Sequence, residues 1–174
     1  MYLSILVISR TYQLLNRMLS SIDEKTYLNK KDFEIICSWN GETQDLKKIQ
    51  NPKEFNLKLI TKKPYNFAKN MNNLIKISIG TYLLIINDDV ILDKDSIGEG
   101  LNLLKGNIYI GLVGGNLRDK ESNLKHAGVN FNFLNSAYHF LENLIKFDNG
   151  FLNSSFIIPA STGALMITRR EIFK

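Results

Sequence analysis

Thr81-Tyr82-Leu83-Leu84-Ile85-Ile86-Asn87-Asp88-Asp89-Val90 joins an almost unbroken apolar run to two adjacent carboxylates. An apolar run bounded by Gly80 on one side and by charge on the other predicts a strand buried on both faces, as in a parallel sheet. Such a strand delivers Asp88 and Asp89 to its carboxyl end, where open α/β sheets bind their ligands. Adjacent carboxylates repel, and both stay ionised easily only with a cation nearby. The run therefore predicts a hard divalent metal at Asp88 and Asp89, with a phosphate-bearing ligand behind it. Taken alone, the acidic pair also fits a helix cap or a solvated turn.

Working outward, strand and helix patterns alternate. Strands are predicted over 3–9, 33–38, 56–61, 81–87 and 108–113, the third bounded by Pro52 and Pro64. Between them lie helices over 13–22, 42–50, 67–78 and 95–104. Phe67, Met71, Leu74 and Ile75 are expected to face inward, and Asp95 to cap its helix with Glu99 in the first turn. This order implies an α/β fold: a mostly parallel sheet with helices on both faces and right-handed crossovers. After residue 116 the rhythm changes to turns and short strands over 117–133, a helix-like stretch over 137–145, and an apolar run over 157–168. One domain is expected over 1–174, with a nucleotide-type half over 1–116 and a less regular half over 117–174.

Composition sets the outer bounds. The chain has 174 residues, 44% hydrophobic and 22% charged, which suits one globular domain with a core of its own. Its single cysteine, Cys37, sits in an apolar run, forms no internal disulfide and points to a reducing, cytoplasmic setting. No segment approaches the length of a membrane span. The opening residues lack a basic leader and a cleavage site, so they read as a first strand and not as a signal peptide. The net charge of +5 is spread over scattered lysines, with pairs at Lys30-Lys31, Lys47-Lys48 and Lys62-Lys63. That pattern is a solvated surface with weak attraction for anionic ligands or membrane faces, so any membrane association is peripheral. Nucleic acid is not expected as a partner, since no basic stripe carries interleaved aromatics.

The other carboxyl edges supply further candidates. Ser9-Arg10-Thr11-Tyr12 offers hydroxyls, a guanidinium and an aromatic face to a nucleotide, although Ser9 or Thr11 can equally cap the next helix. Ser38-Trp39-Asn40-Gly41 holds the only tryptophan, which could stack on a base or pack in the interior. Asn40-Gly41 reads as a tight turn. Asn66-Phe67-Ala68-Lys69-Asn70-Met71-Asn72-Asn73 opens a helix whose first turn can receive phosphate or sugar hydroxyls. Lysine and asparagine abundance could also reflect genomic composition. His126, one of two histidines with His139, is either a structural hydrogen-bonding residue or a ligand or base. Ser161-Thr162-Gly163-Ala164 places a hydroxyl and a glycine beside the last apolar run.

These segments, in this order, resemble the family 2 glycosyltransferases of GT-A fold, especially the branch with rhamnosyl- and galactofuranosyl-transferases. Ser9 to Tyr12 stands where the family has a Pro-Thr-Tyr-Asn type turn. Asn66-Phe67-Ala68 with Asn72 is similar to the family's donor-site helix, and Asn87-Asp88-Asp89 to its Asp-X-Asp motif. Lys125 to Val129 and Thr162-Gly163-Ala164 with Arg169 to Phe173 are similar to two later segments. The resemblance implies transfer, with inversion, from a UDP-, dTDP- or GDP-sugar to a glycan or lipid-linked acceptor, as in bacterial cell-surface polysaccharide synthesis. It implies Mg²⁺ or Mn²⁺ at Asp89 with Asp88. Ser9, Arg10, Thr11, Tyr12, Trp39, Asn40, Lys69, Asn72, Asn87 and Asp88 would line the donor site, and His126, Thr162 and Gly163 the acceptor side. The location implied is cytoplasmic, or the inner face of the membrane. Two departures stand out. The family's base-binding Asp is missing near Trp39. The acidic catalytic base is expected beyond Lys174, which implies a truncated transferase, or alternatively a weak or inactive nucleotide-sugar-binding module with an incomplete acceptor part. A receiver-like signalling domain would need its acidic pair on the first strand, and a nucleotidyltransferase a Gly-rich basic loop there; Ser9-Arg10-Thr11-Tyr12 fits neither.

Overall fold

A computed structural model of the chain describes residues 2–51, 53–61, 64–134, 136–146 and 150–173. Pro52, the Lys62-Lys63 pair and Lys174 lie outside the described residues. The chain runs β1 (Leu3–Ser9), α1 (Tyr12–Lys25), β2 (Phe33–Trp39), β3 (Leu57–Thr61), α2 (Phe67–Ile77), β4 (Tyr82–Asn87), α3 (Ser96–Gly106) and β5 (Leu112–Gly114). It continues through β6 (Leu117–Arg118), β7 (Leu124–His126), β8 (Val129–Phe131) and β9 (Ala137–His139) to β10 (Leu165–Arg169).

Among the described residues, one sheet holds six strands in the order β3-β2-β1-β4-β10-β5. β1 pairs in parallel with β2 and β4, and β2 with β3. The period-2 alternation of β1 sorts its side chains onto two layers. Leu3, Ile5 and Val7 pack with Leu15, Met18, Leu19 and Ile22 of α1 and with Ile97, Leu101 and Leu104 of α3. Leu6 points the other way and packs with Met71, Leu74 and Ile75 of α2. Helices thus cover both faces, as the continuous apolar strands require.

Two polar clusters fix the lower end of the sheet. Glu34 on β2 is fully buried and accepts from Ser4 Oγ (2.7 Å), the Ile79 amide (2.8 Å) and Lys58 Nζ (2.9 Å). Burial alone would raise its carboxyl, but Lys58, the Ile79 amide and the Ser4 hydroxyl together hold it below the usual range. Ser4 Oγ also accepts from the Gly80 amide at 2.8 Å. Gly80 must be glycine there, because a Cβ would stand 2.5 Å from the Ser4 nitrogen. At the end of β10, Arg169 donates to the carbonyls of Leu104 and Asn107 behind α3. Arg170 turns to the opposite face and donates to Gly80 O (2.6 Å), Ile75 O (3.1 Å) and Ser78 Oγ (2.8 Å) at the end of α2. Each guanidinium satisfies helix C-terminal carbonyls that lack intrahelical partners.

Several elements differ from the sequence expectation. The segment expected as a helix over 42–50 is a 3-10 turn, Thr43–Lys48. The fifth strand shrinks to Leu112–Gly114, leaving Ile108 and Tyr109 exposed. The helix expected over 137–145 begins instead as β9, antiparallel to β8, because strand pairing outweighs local helical spacing. Asp95 sits at the helix start with φ of 53° and makes no side-chain cap bond. Phe67 is exposed and not inward-facing. β10 inserts antiparallel between β4 and β5, so the second half of the chain returns a strand to the sheet of the first.

Candidate functional site

The carboxyl ends of β1, β2 and β4 lie side by side, with Ser9 in register with Trp39 and Ile8 with Asn87. At this edge the two aspartates part company. Asp88 turns toward β1 and accepts a hydrogen bond from Ser9 Oγ at 2.6 Å. Burial, and then the neighbouring Asp89 charge, push its carboxyl up, against the Ser9 bond and the Arg10 charge that pull it down. Cys37 lies beneath: burial, with the Asp88 carboxylate second, pushes its thiol up to about 12, so it is an inert core residue. Asp89 is exposed and lines an open groove of about 1320 Å³ together with Asn87, Asp93 and Arg118. Arg118 spans that groove as a two-pronged ion pair with Asp93.

The other predicted residues fall into three groups. Ser9, Arg10 and Thr11 form the turn after β1, where the Thr11 amide donates to Ser9 Oγ at 3.4 Å. Arg10 is exposed there. Tyr12 is half-buried, with the Lys48 ammonium 5.0 Å from its ring centre. Trp39 is fully buried, and its Nε1 donates to Glu42 O at 3.1 Å. It has no face to offer a base, so the packing alternative holds for it. Gly41 lies against it closely enough that a Cβ would stand 2.5 Å from the Trp39 ring. Asn40 donates its amide to Ser9 O at 2.7 Å and accepts from Asn70 Nδ2 at 3.2 Å. On α2, Lys69 and Asn72 are exposed, whereas Asn70 between them is 3% exposed and faces the strand ends.

Asn70 is the residue that sequence reasoning passed over. A detectable signal existed: an amide occupies the inward stripe shared by Met71 and Leu74, and a buried amide needs partners. His126, Thr162 and Gly163 are brought together directly behind β4. The Thr162 amide donates to His126 Nε2 at 3.2 Å, and the Asn87 amide donates to Ala164 O at 2.9 Å. A Cβ on Gly163 would touch Phe67 at 3.8 Å.

Chemically, the edge offers one free-standing carboxylate, a second carboxylate held by a hydroxyl, and carboxamides on both sides. Among the described residues, no cluster of three or more His, Cys, Asp or Glu side chains forms a self-contained metal cage. That donor set fits Mg²⁺ or Mn²⁺, which are held by one or two carboxylates and complete their shell with phosphate oxygens and water. Among the same residues, no helix is long and apolar enough to cross a membrane.

No curated protein matches the chain in sequence. Solved structures do match in fold. A mannosyltransferase from Pyrobaculum calidifontis, in complex with GDP-Man and Mn²⁺, superposes with a TM-score of 0.68 at 14% identity, over 98% of this chain and 45% of that one. TarS 1–349 from S. aureus superposes with a TM-score of 0.58 at 18% identity, over 99% of this chain and 48% of that one. A 4-diphosphocytidyl-2C-methyl-D-erythritol synthase from Anaerococcus prevotii gives 0.56 at 11% identity, over 98% and 72%. The chain therefore spans less than half the length of the mannosyltransferase and of TarS 1–349. The sequence itself matches the glycosyl transferase family 2 domain over residues 4–174. The parallel sheet, the acidic end of its β4 strand and this match over nearly the whole length lead to one assignment: the chain belongs to glycosyl transferase family 2.

Proposed function

We propose that this chain carries the donor site of a transferase that moves a sugar from a nucleoside-diphosphate sugar to a glycan or lipid-linked acceptor, with inversion. The observation that carries the reading is the division of labour at the end of β4: Asp89 stands exposed in the groove while Asp88 is tied back to Ser9. The fold relatives add support, one holding GDP-Man and Mn²⁺ and another, TarS 1–349, crystallised with UDP-GlcNAc. In this reading Asp89, with Asp88 beside it, holds Mg²⁺ or Mn²⁺. The ion supplies charge neutralisation on the diphosphate leaving group. Asn87 donates or accepts at a ribose hydroxyl, and the Ser9-Arg10-Thr11-Tyr12 turn lines the nucleotide pocket. Asn40, held by Asn70, takes the place near the base that buried Trp39 leaves. Residues 1–116 bind the donor and 117–174 begin the acceptor side. The rhamnosyl/galactofuranosyl branch, a role in cell-surface polysaccharide synthesis and a cytoplasmic or inner-membrane-face location belong to the same proposal.

The test is equilibrium binding of radiolabelled UDP-, dTDP- and GDP-sugars with Mn²⁺ present. Saturable binding of one of them, lost on chelation with EDTA, is the expected result. Absence of binding for all of them overturns the donor-site assignment.

A further inference from the structure

His126 and His139 form a pair that the proposed donor chemistry does not use. His126 ends β7 and is 2% exposed. His139 ends β9 and is exposed. Their Nδ1 atoms face each other at 3.4 Å, with the rings nearly perpendicular. The other ring nitrogen of His126 is already committed, because Nε2 lies 3.2 Å from the Thr162 backbone nitrogen. A backbone N–H can only donate, so Nε2 must be the acceptor and carry no proton. The proton of neutral His126 is then on Nδ1, pointing at His139 Nδ1, which must accept it. One arrangement of protons satisfies every atom: Thr162 N–H to His126 Nε2, and His126 Nδ1–H to His139 Nδ1.

This assignment rules out two other roles for His126. A metal on Nδ1 would force the proton to Nε2, against the Thr162 amide. A general base needs an open lone pair, and the one at Nε2 is taken. What remains is the turn that His126 holds. Thr162 Oγ1 accepts from the Ala164 amide at 3.3 Å, and Ala164 O accepts from the Asn87 amide at 2.9 Å. A continuous path thus runs from His139 through His126 and the 162–164 turn to the residue just before Asp88 and Asp89.

We propose that His126 is a positioning residue for the donor site: as the neutral Nδ1–H tautomer it anchors the Thr162 amide, and through the 162–164 turn it sets the backbone of Asn87. The proposal rests on the donor-site reading for its functional consequence, not for the anchoring itself. Protonating either histidine breaks the arrangement. A charged His126 needs a proton on Nε2, facing the Thr162 N–H. A charged His139 puts a second N–H against the first at 3.4 Å and can turn its own toward Glu142, whose Oε2 lies 4.0 Å away. The groups acting on His126 are its burial, which favours the neutral ring, His139, which does the same, and Glu142, which opposes them. The turn over 160–164 contributes no titratable side chain.

Long-range ¹H–¹⁵N NMR on the full chain reads the His126 tautomer directly, and amide exchange reads Thr162. The expected spectrum has His126 protonated on Nδ1, with Thr162 protected at about pH 7.5 and losing protection toward about pH 5.5 and below, because burial and His139 keep His126 neutral past the ordinary histidine value. His126→Gln offers an amide oxygen near the Nε2 position, so it keeps Thr162 protected and removes the pH dependence. His126→Phe loses protection at both pH values. Should that variant fail to fold, the wild-type tautomer and the Gln variant still decide. An Nε2-protonated ring, or Thr162 protection that does not change with pH, overturns the proposal. Binding of UDP or GDP with Mn²⁺ then separates the two ideas. Weakening at about pH 5.5 in the wild type, absent in His126→Gln, supports the link to the donor site. Equal weakening in both overturns that link. No nucleotide binding at either pH, with the NMR results as expected, removes the donor reading and leaves the anchor in place.

Discussion

Ser9 Oγ donates to Asp88 Oδ2 at 2.6 Å across 79 residues of sequence, joining the carboxyl ends of β1 and β4. The bond ties one of two adjacent aspartates back to the first strand and leaves the other exposed in the groove. Ser9→Ala removes the hydroxyl that donates to this half-buried carboxylate and is expected to cost about 1–2 kcal/mol, read as a lower urea midpoint with an unchanged slope. Ser9→Thr, which keeps the hydroxyl, is expected to restore most of it. An unchanged midpoint in Ser9→Ala would mean that water replaces the hydroxyl at no cost.

Arg170 is expected to matter more than its place near the end of β10 suggests. Its guanidinium serves Gly80 O, Ile75 O and Ser78 Oγ at once, closing the α2–β4 turn. Arg170→Met takes the donor from Gly80 O, while Ile75 O keeps the Ser78 hydroxyl at 2.8 Å, a loss of about 1–3 kcal/mol. Arg170→Lys is expected to recover little, because a point charge cannot reproduce a planar fork. Thermal melts of the three proteins check both statements, and a full recovery by lysine would contradict the geometry.

Gly41 supports the site sterically. A Cβ there would stand 2.5 Å from the Trp39 ring and press on the Arg10 carbonyl. Gly41→Ala is therefore expected to destabilise by about 1–3 kcal/mol and to displace the Ser9–Thr11 turn, visible as a change in Trp39 fluorescence. Identical emission and stability would show that the loop yields without strain.

Stability should fall with acid in two stages. His126 is held below its ordinary range by burial and by His139. Its folded pKa is depressed, so the unfolded chain binds the proton more readily, and stability declines as pH falls below the ordinary histidine value of about 6.5. Glu34, Asp93 and Asp119 are also held low: Glu34 by Lys58, the Ile79 amide and Ser4 against its burial, Asp93 by Arg118, and Asp119 by Asn123, reaching about 2. Their contributions are complete above the unfolded carboxylate values and disappear as pH falls through the folded ones. Urea denaturation at stepped pH is expected to give a shallow first decline, absent in His126→Gln, and a steeper acid limb below it. A first decline of equal size in His126→Gln would assign it to other groups.

The sequence carried the parts whose physics is local. β1, β2 and β4 were legible because each is a continuous apolar run, and the Asn87-Asp88-Asp89 end of β4 followed from where such a strand must stop. Parts fixed by distant partners were not. Nothing near residue 137 says that Ala137–His139 pairs with Val129–Phe131. The place of β10 between β4 and β5 depends on Arg169 and Arg170 reaching two different helices. At the site, exposure separated Asn70 from Asn72, which sequence alone treats alike, and Asp88 from Asp89, which only the family resemblance had ranked. The tryptophan looked available because it lies at a strand edge; the Glu42 carbonyl and the tight Gly41 turn close it off.

The proposed donor site puts Asp89 on the metal of a nucleoside diphosphate, with Asp88 beside it braced by Ser9. The most direct measurement is Mn²⁺ binding followed by electron paramagnetic resonance, with UDP or GDP present, in the wild type, Asp89→Asn and Ser9→Ala. Nucleotide-dependent Mn²⁺ binding is expected in the wild type, with a weakened but present signal in Ser9→Ala and only free Mn²⁺ in Asp89→Asn. Undiminished Mn²⁺ binding in Asp89→Asn would contradict the proposed site.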